Sequence, residues 1–559
     1  MPHVVMRKQT RPARIVVGWT RRMRSRHHDQ VRISGLNSNA GCIAMTGTTV
    51  KLVDVMSGVP RGVVRRDGQD LALEDQSMPL ASFMPSENVR QSQQLAAGPG
   101  KIFLGVVDGQ MTKVGLEPHV MDGTAIGIGD DRHMMTIAGS RAGKGRSTVI
   151  PTLLSYEGSV LAIDPKGELA TITARHRATN LKQRVVVLDP FKVAKGYAAK
   201  CRAGFNPMKM LDPNSPTLIE DAGLIGDACV IRENGGTADP HWDDSARGFV
   251  DGASVHAVTA VEHNARQHLA TVRDLIAGNK EVTKGQGLDR LEAEMRTNPA
   301  ANGFVQDAAE DFFSKPDDER GSVLSTARRH LRFLSYPAIR ESVSTGDLDL
   351  ADLKRQRMTV YLCLPAMRMG TCNRWFRLVI NMALAAFERE AKKPETPVLV
   401  CLDEFASLGH MRTIEDAAGL IAGFGVKLWP IVHDLGQIKS LYKDRWQTFL
   451  GNAGVVQFFA NSDLTTLEYL SKRLGTTSVI VRNQSDVADR DQTGTDRRGA
   501  NYAIQTQPLL TVDEIARLFG RDDALQRQLI LWAGFDPIIL QRIKYDSHER
   551  FAGAFDATG

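Results

Sequence analysis

Met134-Met-Thr-Ile-Ala-Gly-Ser-Arg-Ala-Gly-Lys-Gly145 is the stretch from which the rest of the chain can be read. Met134 to Ala138 is a short apolar run, Gly139 to Gly145 is a glycine-rich turn, and Arg146 to Leu154 has the composition of a helix start. Strand, glycine turn and helix in that order make a phosphate loop. Backbone N–H groups and the helix N-terminus converge on phosphate oxygens, and a lysine reaches the β and γ oxygens as a point charge. The expected nucleotide contacts are Gly139, Ser140, Arg141, Ala142, Gly143, Lys144, Gly145, Arg146 and Ser147. Two positions depart from G-x-x-x-x-G-K-[ST]. Ala138 holds the first glycine position, and Gly145 stands where a hydroxyl would reach Mg²⁺. Ser147, Thr148 or water is then left to supply that oxygen.

ATP chemistry needs a second half: a carboxylate for Mg²⁺ and a group that positions the attacking water. Pro397-Val-Leu-Val-Cys-Leu-Asp-Glu404 is an apolar strand ending in two acids, so Asp403 is expected to hold the metal and Glu404 to act as base. Other apolar runs repeat the strand signal: Val160 to Ile163, Val185 to Leu188, Thr359 to Leu364, Leu428 to Val432 and Val455 to Phe459. Runs apolar on both faces, alternating with helical stretches, predict a mainly parallel sheet in an α/β fold. Residues 214–345 break the pattern with helix formers and charge, and are expected to form an all-α insertion. The expected division is therefore a basic, weakly structured arm and linker over 1–100, a nucleotide-binding domain over 101–213 and 346–559, and the insertion between.

The chain has 559 residues, 42% hydrophobic, 24% charged and 6% aromatic, a globular composition that excludes wholesale disorder and fibrous repeats. Its six cysteines, Cys42, Cys201, Cys229, Cys363, Cys372 and Cys401, form no C-x-x-C pair and have no histidine close enough to complete a zinc pattern, so neither a disulfide framework nor a metal site is indicated and a reducing cytoplasm is expected. The apolar run Val379 to Phe387 is well short of the roughly 20 residues a bilayer core requires. Charge is uneven. Arg7, Lys8, Arg11, Arg14, Arg21, Arg22, Arg24 and Arg26 face only Asp29 in the first 30 residues, leaving 62 basic and 63 acidic residues elsewhere. Such an arm is suited to a polyanion, either nucleic acid or an anionic membrane.

Taken together, these segments resemble the coupling proteins of bacterial type IV secretion and conjugation systems, hexameric RecA-like ATPases. The resemblance rests on Thr136 to Gly145, Val149-Ile-Pro-Thr-Leu-Leu154, Leu161-Ala-Ile-Asp-Pro-Lys-Gly-Glu-Leu-Ala170, Val187-Leu-Asp-Pro-Phe191, Phe205-Asn-Pro207, His241-Trp-Asp-Asp-Ser-Ala-Arg247, Leu402-Asp-Glu-Phe-Ala-Ser-Leu-Gly409, Pro508-Leu-Leu-Thr-Val-Asp-Glu514 and Asp536 to Tyr545. In that family a glycine after the loop lysine is usual. The resemblance implies a RecA-like fold, ATP and Mg²⁺ as cofactors, a hexameric ring, single-stranded DNA with its relaxase as cargo, and secretion-channel subunits as partners. It also implies Gln437, in His433-Asp-Leu-Gly-Gln437, as a γ-phosphate sensor, although His433 occupies a position where glutamine is commoner. Most relatives begin with membrane helices; this chain shows the arginine-rich arm instead. A cytoplasmic place, peripheral at the inner membrane and with no transmembrane segment, is expected.

Some roles stay open on the residues alone. Asp164 either caps a helix or ends its strand where Lys166 and Glu168 line the nucleotide site or a subunit contact. Asp243 and Asp244 read as a helix start. Two further functions share these residues: a docking receptor that binds ATP without turnover, and a DNA-translocating or packaging ATPase outside secretion. Intact Lys144, Asp403 and Glu404 favour the motor over the receptor.

Overall fold

The computed structural model describes residues 81–557, except 116, 232–239, 280 and 486–498, and several two- to four-residue strands within 16–70. The eight basic side chains of the arm lie outside the described residues. The described chain forms two compact units. The larger comprises 97–104, 127–456 and 543–559, and the smaller 1–96, 105–126 and 457–542.

All seven apolar runs are strands. They are β1 (His133–Ala138), β2 (Val160–Asp164), β3 (Arg184–Leu188), β4 (Met358–Cys363), β5 (Val398–Leu402), β6 (Val426–Val432) and β7 (Ala453–Phe459). In the larger unit the order is β7-β1-β6-β5-β2-β4-β3, β7 entering it with residues 453–456. The pairs β1/β6, β6/β5, β5/β2, β2/β4 and β4/β3 are all parallel. Every residue of β1, β2, β4, β5 and β6 is buried, which is why these strands read as continuous apolar runs instead of alternating ones. Crossover helices cover them: α1 (Ile150–Ser155), α2 (Glu168–Thr179) and the 21-residue helix Met369–Arg389. Trp375, Phe376 and Phe387 of the last are fully buried.

The described residues of 218–344 in this unit form helices joined by turns, with no strand among them. Within them lie α3 (Leu218–Cys229), α4 (Pro240–Thr259), α5 (Leu269–Ala277), α6 (Leu288–Thr297), α7 (Phe304–Phe313) and α8 (Asp317–His330). Phe249 of α4 stacks on Phe312 of α7 with ring centroids 3.7 Å apart, and Phe313 meets Phe249 edge-on. This helical segment belongs to the same compact unit as the phosphate loop.

The smaller unit is antiparallel. Arg527–Trp532 pairs with Ile538–Gln541, Gln541 pairs with Val106, and Thr476–Ser485 forms a ten-residue ladder with Gly499–Pro508. Residues 457–542 of the expected nucleotide-binding domain fall in this smaller unit.

Candidate active site

Three adjacent parallel strands, β1, β6 and β5, each end in a chemically active side chain at their carboxyl edge. Lys144 follows β1, His433 follows β6, and Asp403 with Glu404 follows β5. That edge is where ligands of open α/β sheets bind.

The loop after β1 turns through left-handed conformations at Arg141 (φ 55°) and Gly143 (φ 78°), which glycine adopts without strain. It runs into a π-helical turn over Gly145–Val149 and then α1. A Cβ added at Gly143 or Gly145 would meet no atom within 4 Å, so the loop opens onto clear space of the kind phosphate oxygens require. The Ser147 hydroxyl donates to the Gly143 carbonyl at 2.9 Å, while the buried Thr148 hydroxyl has no hydrogen-bond partner. Behind the loop, Arg146 pairs with Asp546 at 2.7 Å and its carbonyl accepts the Tyr545 N–H at 3.1 Å. Asp556 reaches Arg175 on α2 at 2.5 Å. The end of the chain thus braces the two helices nearest the loop.

Lys144, Glu404 and His433 close on one another. Lys144 Nζ lies 3.3 Å from Glu404 Oε1 and 3.2 Å from His433 Nδ1, and His433 Nε2 lies 3.1 Å from Glu404 Oε2. Glu404 is held at φ 54°, ψ 40°, a left-handed conformation for a residue with a side chain. The His433 hydrogen bond lowers the Glu404 pKa to about 2, with Lys144 contributing against the effect of burial. His433 is raised in turn, chiefly by that hydrogen bond. Asp403 is raised by burial and by the Glu404 charge, with Lys144 offsetting part. Asp164 is raised to about 7 by burial, reinforced by the charge of Asp403. Two buried carboxylates whose pKa values are both raised make a setting a divalent cation relieves, and with the open loop and the spare Thr148 oxygen the donor set fits Mg²⁺.

The structure thus brings together Lys144, Asp403 and Glu404. It does not bring Gln437 to them directly. The Gln437 side chain accepts the His433 N–H at 2.9 Å, at the start of the helix Leu435–Tyr442 that Asp434 caps. His433 is the side chain in contact, and the sequence signal for it was its place just after a buried strand, the same place Lys144 holds. Asp164 acts as a cap: its carboxylate accepts the Ala170 N–H at 2.8 Å across the turn into α2.

A phosphate loop on one strand and an acidic pair two strands away define a nucleotide-binding protein of the phosphate-loop class. Residues 101–555 match the model of the family described as type IV secretory system conjugative DNA transfer, and the chain belongs to that family. It is 28% identical over 444 residues to the protein VirD4 of Agrobacterium fabrum, covering 78% of this chain and 62% of VirD4. It is 26% identical over 406 residues to a conjugal transfer protein TraG of Escherichia coli, covering 69% of this chain and 62% of TraG. The chain therefore spans about three fifths of the length of these relatives. The solved structure of the plasmid coupling protein TrwB with a non-hydrolysable ATP analogue matches with a TM-score of 0.54 at 14% identity, over 81% of this chain and 97% of TrwB. TrwB has also been solved with ADP and Mg²⁺. These likenesses show the RecA-like α/β fold with its helical segment.

Proposed function

We propose that this chain is an ATP-driven coupling protein that receives a relaxase with its single-stranded DNA and delivers them to a type IV secretion channel. The observation that supports it most is the meeting of Lys144 and Glu404, 260 positions apart, at the carboxyl edge of parallel strands. Family membership supplies the transfer context. Lys144 and the loop N–H groups bind the β and γ phosphates. Asp403 would hold Mg²⁺, which would supply neutralisation of phosphate charge. Glu404 orients the attacking water and takes its proton.

Glu404 is a weak base while Lys144 and His433 both hold it, since a pKa near 2 leaves it little proton affinity. Phosphate oxygens that draw Lys144 away remove one of its two hydrogen-bonded partners, so nucleotide binding itself strengthens the base. In this reading His433 makes the γ-phosphate-side contact, and Gln437 positions it through the backbone. The helical residues 214–345 dock the cargo. The working form is a hexamer whose channel loops bind DNA through phosphate charge. The basic arm adds contact with DNA or with anionic lipid at the cytoplasmic face of the inner membrane. Among the described residues no helix is long and apolar enough to cross a membrane.

The test is ATP turnover by the purified chain with and without single-stranded DNA. Stimulation by DNA that Lys144→Ala abolishes supports the motor. Nucleotide binding with no turnover in any DNA supports a docking receptor instead.

A further inference from the structure

The helical segment carries a second polar cluster that the nucleotide chemistry does not use. His256 lies in the last turns of α4, His263 in the short 3₁₀ turn Val261–Arg266 that follows, and Glu294 on α6. His256 is 1% and His263 4% exposed. Glu294 Oε2 lies 3.6 Å from His256 Nε2 and 3.5 Å from His263 Nε2. Neither imidazole Nε2 has a hydrogen-bond partner, although both are buried. One ligand atom from each residue falls within 4.8 Å of the others.

These separations are too long for N–H···O hydrogen bonds, which run about 2.7–3.2 Å. They are close to the separation of two ligands about 2.0–2.1 Å from one tetrahedral ion. We propose that His256, His263 and Glu294 form a binding site for a divalent transition metal ion of the zinc class. Two imidazoles and one carboxylate suit Zn²⁺, whereas Mg²⁺ and Ca²⁺ take oxygen ligands. Arg290 Nη2 forms an ion pair with Glu294 Oε1 at 2.6 Å, which leaves Oε2 for the ion. Among the described residues no fourth side chain joins the cluster, so water completes the coordination. The ion ties the turn after α4 to α6 and thereby sets the shape of the helical segment. The signal in the sequence is only a histidine pair seven apart with a glutamate 31 positions later.

The neighbour of His256 makes the proposal sharp. Its Nδ1 faces Asn298 Nδ2 at 3.1 Å, and that amide also bonds Thr259 Oγ1 at 3.0 Å and accepts the Ala300 N–H at 3.0 Å. Metal ligation through Nε2 places the ring proton on Nδ1, which then needs an acceptor. Asn298 must turn its oxygen toward the ring and give up the Ala300 contact. Asn298→Asp supplies that acceptor directly. It is therefore expected to tighten metal binding about tenfold, in the range that outer partners of metal-bound histidines command.

The experiment strips the full chain with a chelator, confirms folding by circular dichroism, and titrates Zn²⁺ alone against a chromophoric competitor. One ion per chain is expected, with a raised thermal midpoint. His263→Ala and Glu294→Gln should lose that ion and the midpoint shift, and Asn298→Asp should bind it more tightly. Should either ligand variant misfold, X-ray absorption of the Zn²⁺-loaded wild type decides, with two imidazole ligands expected. The proposal is overturned by absence of stoichiometric binding to the wild type, by equal binding in a folded ligand variant, by weaker binding in Asn298→Asp, or by a metal spectrum without imidazole.

Discussion

The two ends of one parallel sheet hold opposite kinds of polar cluster. At the carboxyl edge, Lys144, Glu404 and His433 pair with one another, and the Glu404 and His433 side chains are 37% and 27% exposed. At the amino edge, Arg177 of α2 is fully buried. Its guanidinium donates to Thr359 Oγ1, to the carbonyls of Leu153, Tyr156 and Gly158, and to Gln183 Oε1. Beside it in kind are His133 and Lys427, at the amino ends of β1 and β6, the first accepting the Leu428 N–H at 3.2 Å and the second donating to the Asp130 carbonyl. An arginine whose five donors are all satisfied has nothing left to offer a ligand, and it serves as a structural knot. A lysine whose partners are a movable acid and an imidazole can exchange them for phosphate. Function and scaffold thus differ less in residue type than in whether the hydrogen bonds can be exchanged.

Changes at the two edges should separate activity from stability. The largest effect is expected from Lys144→Ala, which should cut ATP turnover by more than about a hundredfold and weaken nucleotide binding, with little change in thermal midpoint. A nucleotide titration and a melt on the same preparation check it. Arg177→Met should do the reverse. Leaving buried carbonyls unpaired costs about 3 kcal/mol of stability, seen in denaturant unfolding, while turnover per folded molecule stays near wild type.

His133 tests the amino edge by pH. Burial lowers its pKa to about 4, with the Lys427 charge assisting. Its unfolded value is near 6.5, so between these limits the unfolded chain binds the extra proton. Stability tied to neutral His133 is thus complete above about pH 6.5 and is lost as pH falls toward 4, by up to about 3 kcal/mol. His133→Gln should flatten the fall of the melting midpoint over that interval. The smallest effect is expected from Gly145→Thr. The open space at Gly145 admits the side chain, and the added hydroxyl should lower the Mg²⁺ concentration needed for half-maximal turnover by about fivefold, the worth of roughly one hydrogen bond.

Much of this was legible in the chain. Val398 to Leu402 is a strand with the bounds read for it, and all seven apolar runs became strands because burial on both faces leaves an unbroken apolar signature. Lys144, Asp403 and Glu404 meet because each follows such a run at the same edge of the sheet. Less legible was anything made by distant pairing. Arg146 finds Asp546 400 positions away, and no local pattern marks that brace. Arg177 looks like a charged residue on an ordinary helix, and only the fold shows it walled in by carbonyls. Gln437 carried the family pattern, yet the turn after β6 spends its side chain on the His433 backbone.

The central claim is that the carboxyl edge is a hydrolytic site in which Lys144 binds and Glu404 activates water. Single-turnover ATP hydrolysis by Glu404→Gln, with single-stranded DNA present and nucleotide occupancy measured in parallel, tests it most directly. The glutamine is nearly isosteric but cannot take a proton, so ATP should bind at close to wild-type affinity while cleavage slows by at least about a hundredfold. Cleavage at the wild-type rate on a fully occupied site would contradict the claim and move the catalytic base elsewhere.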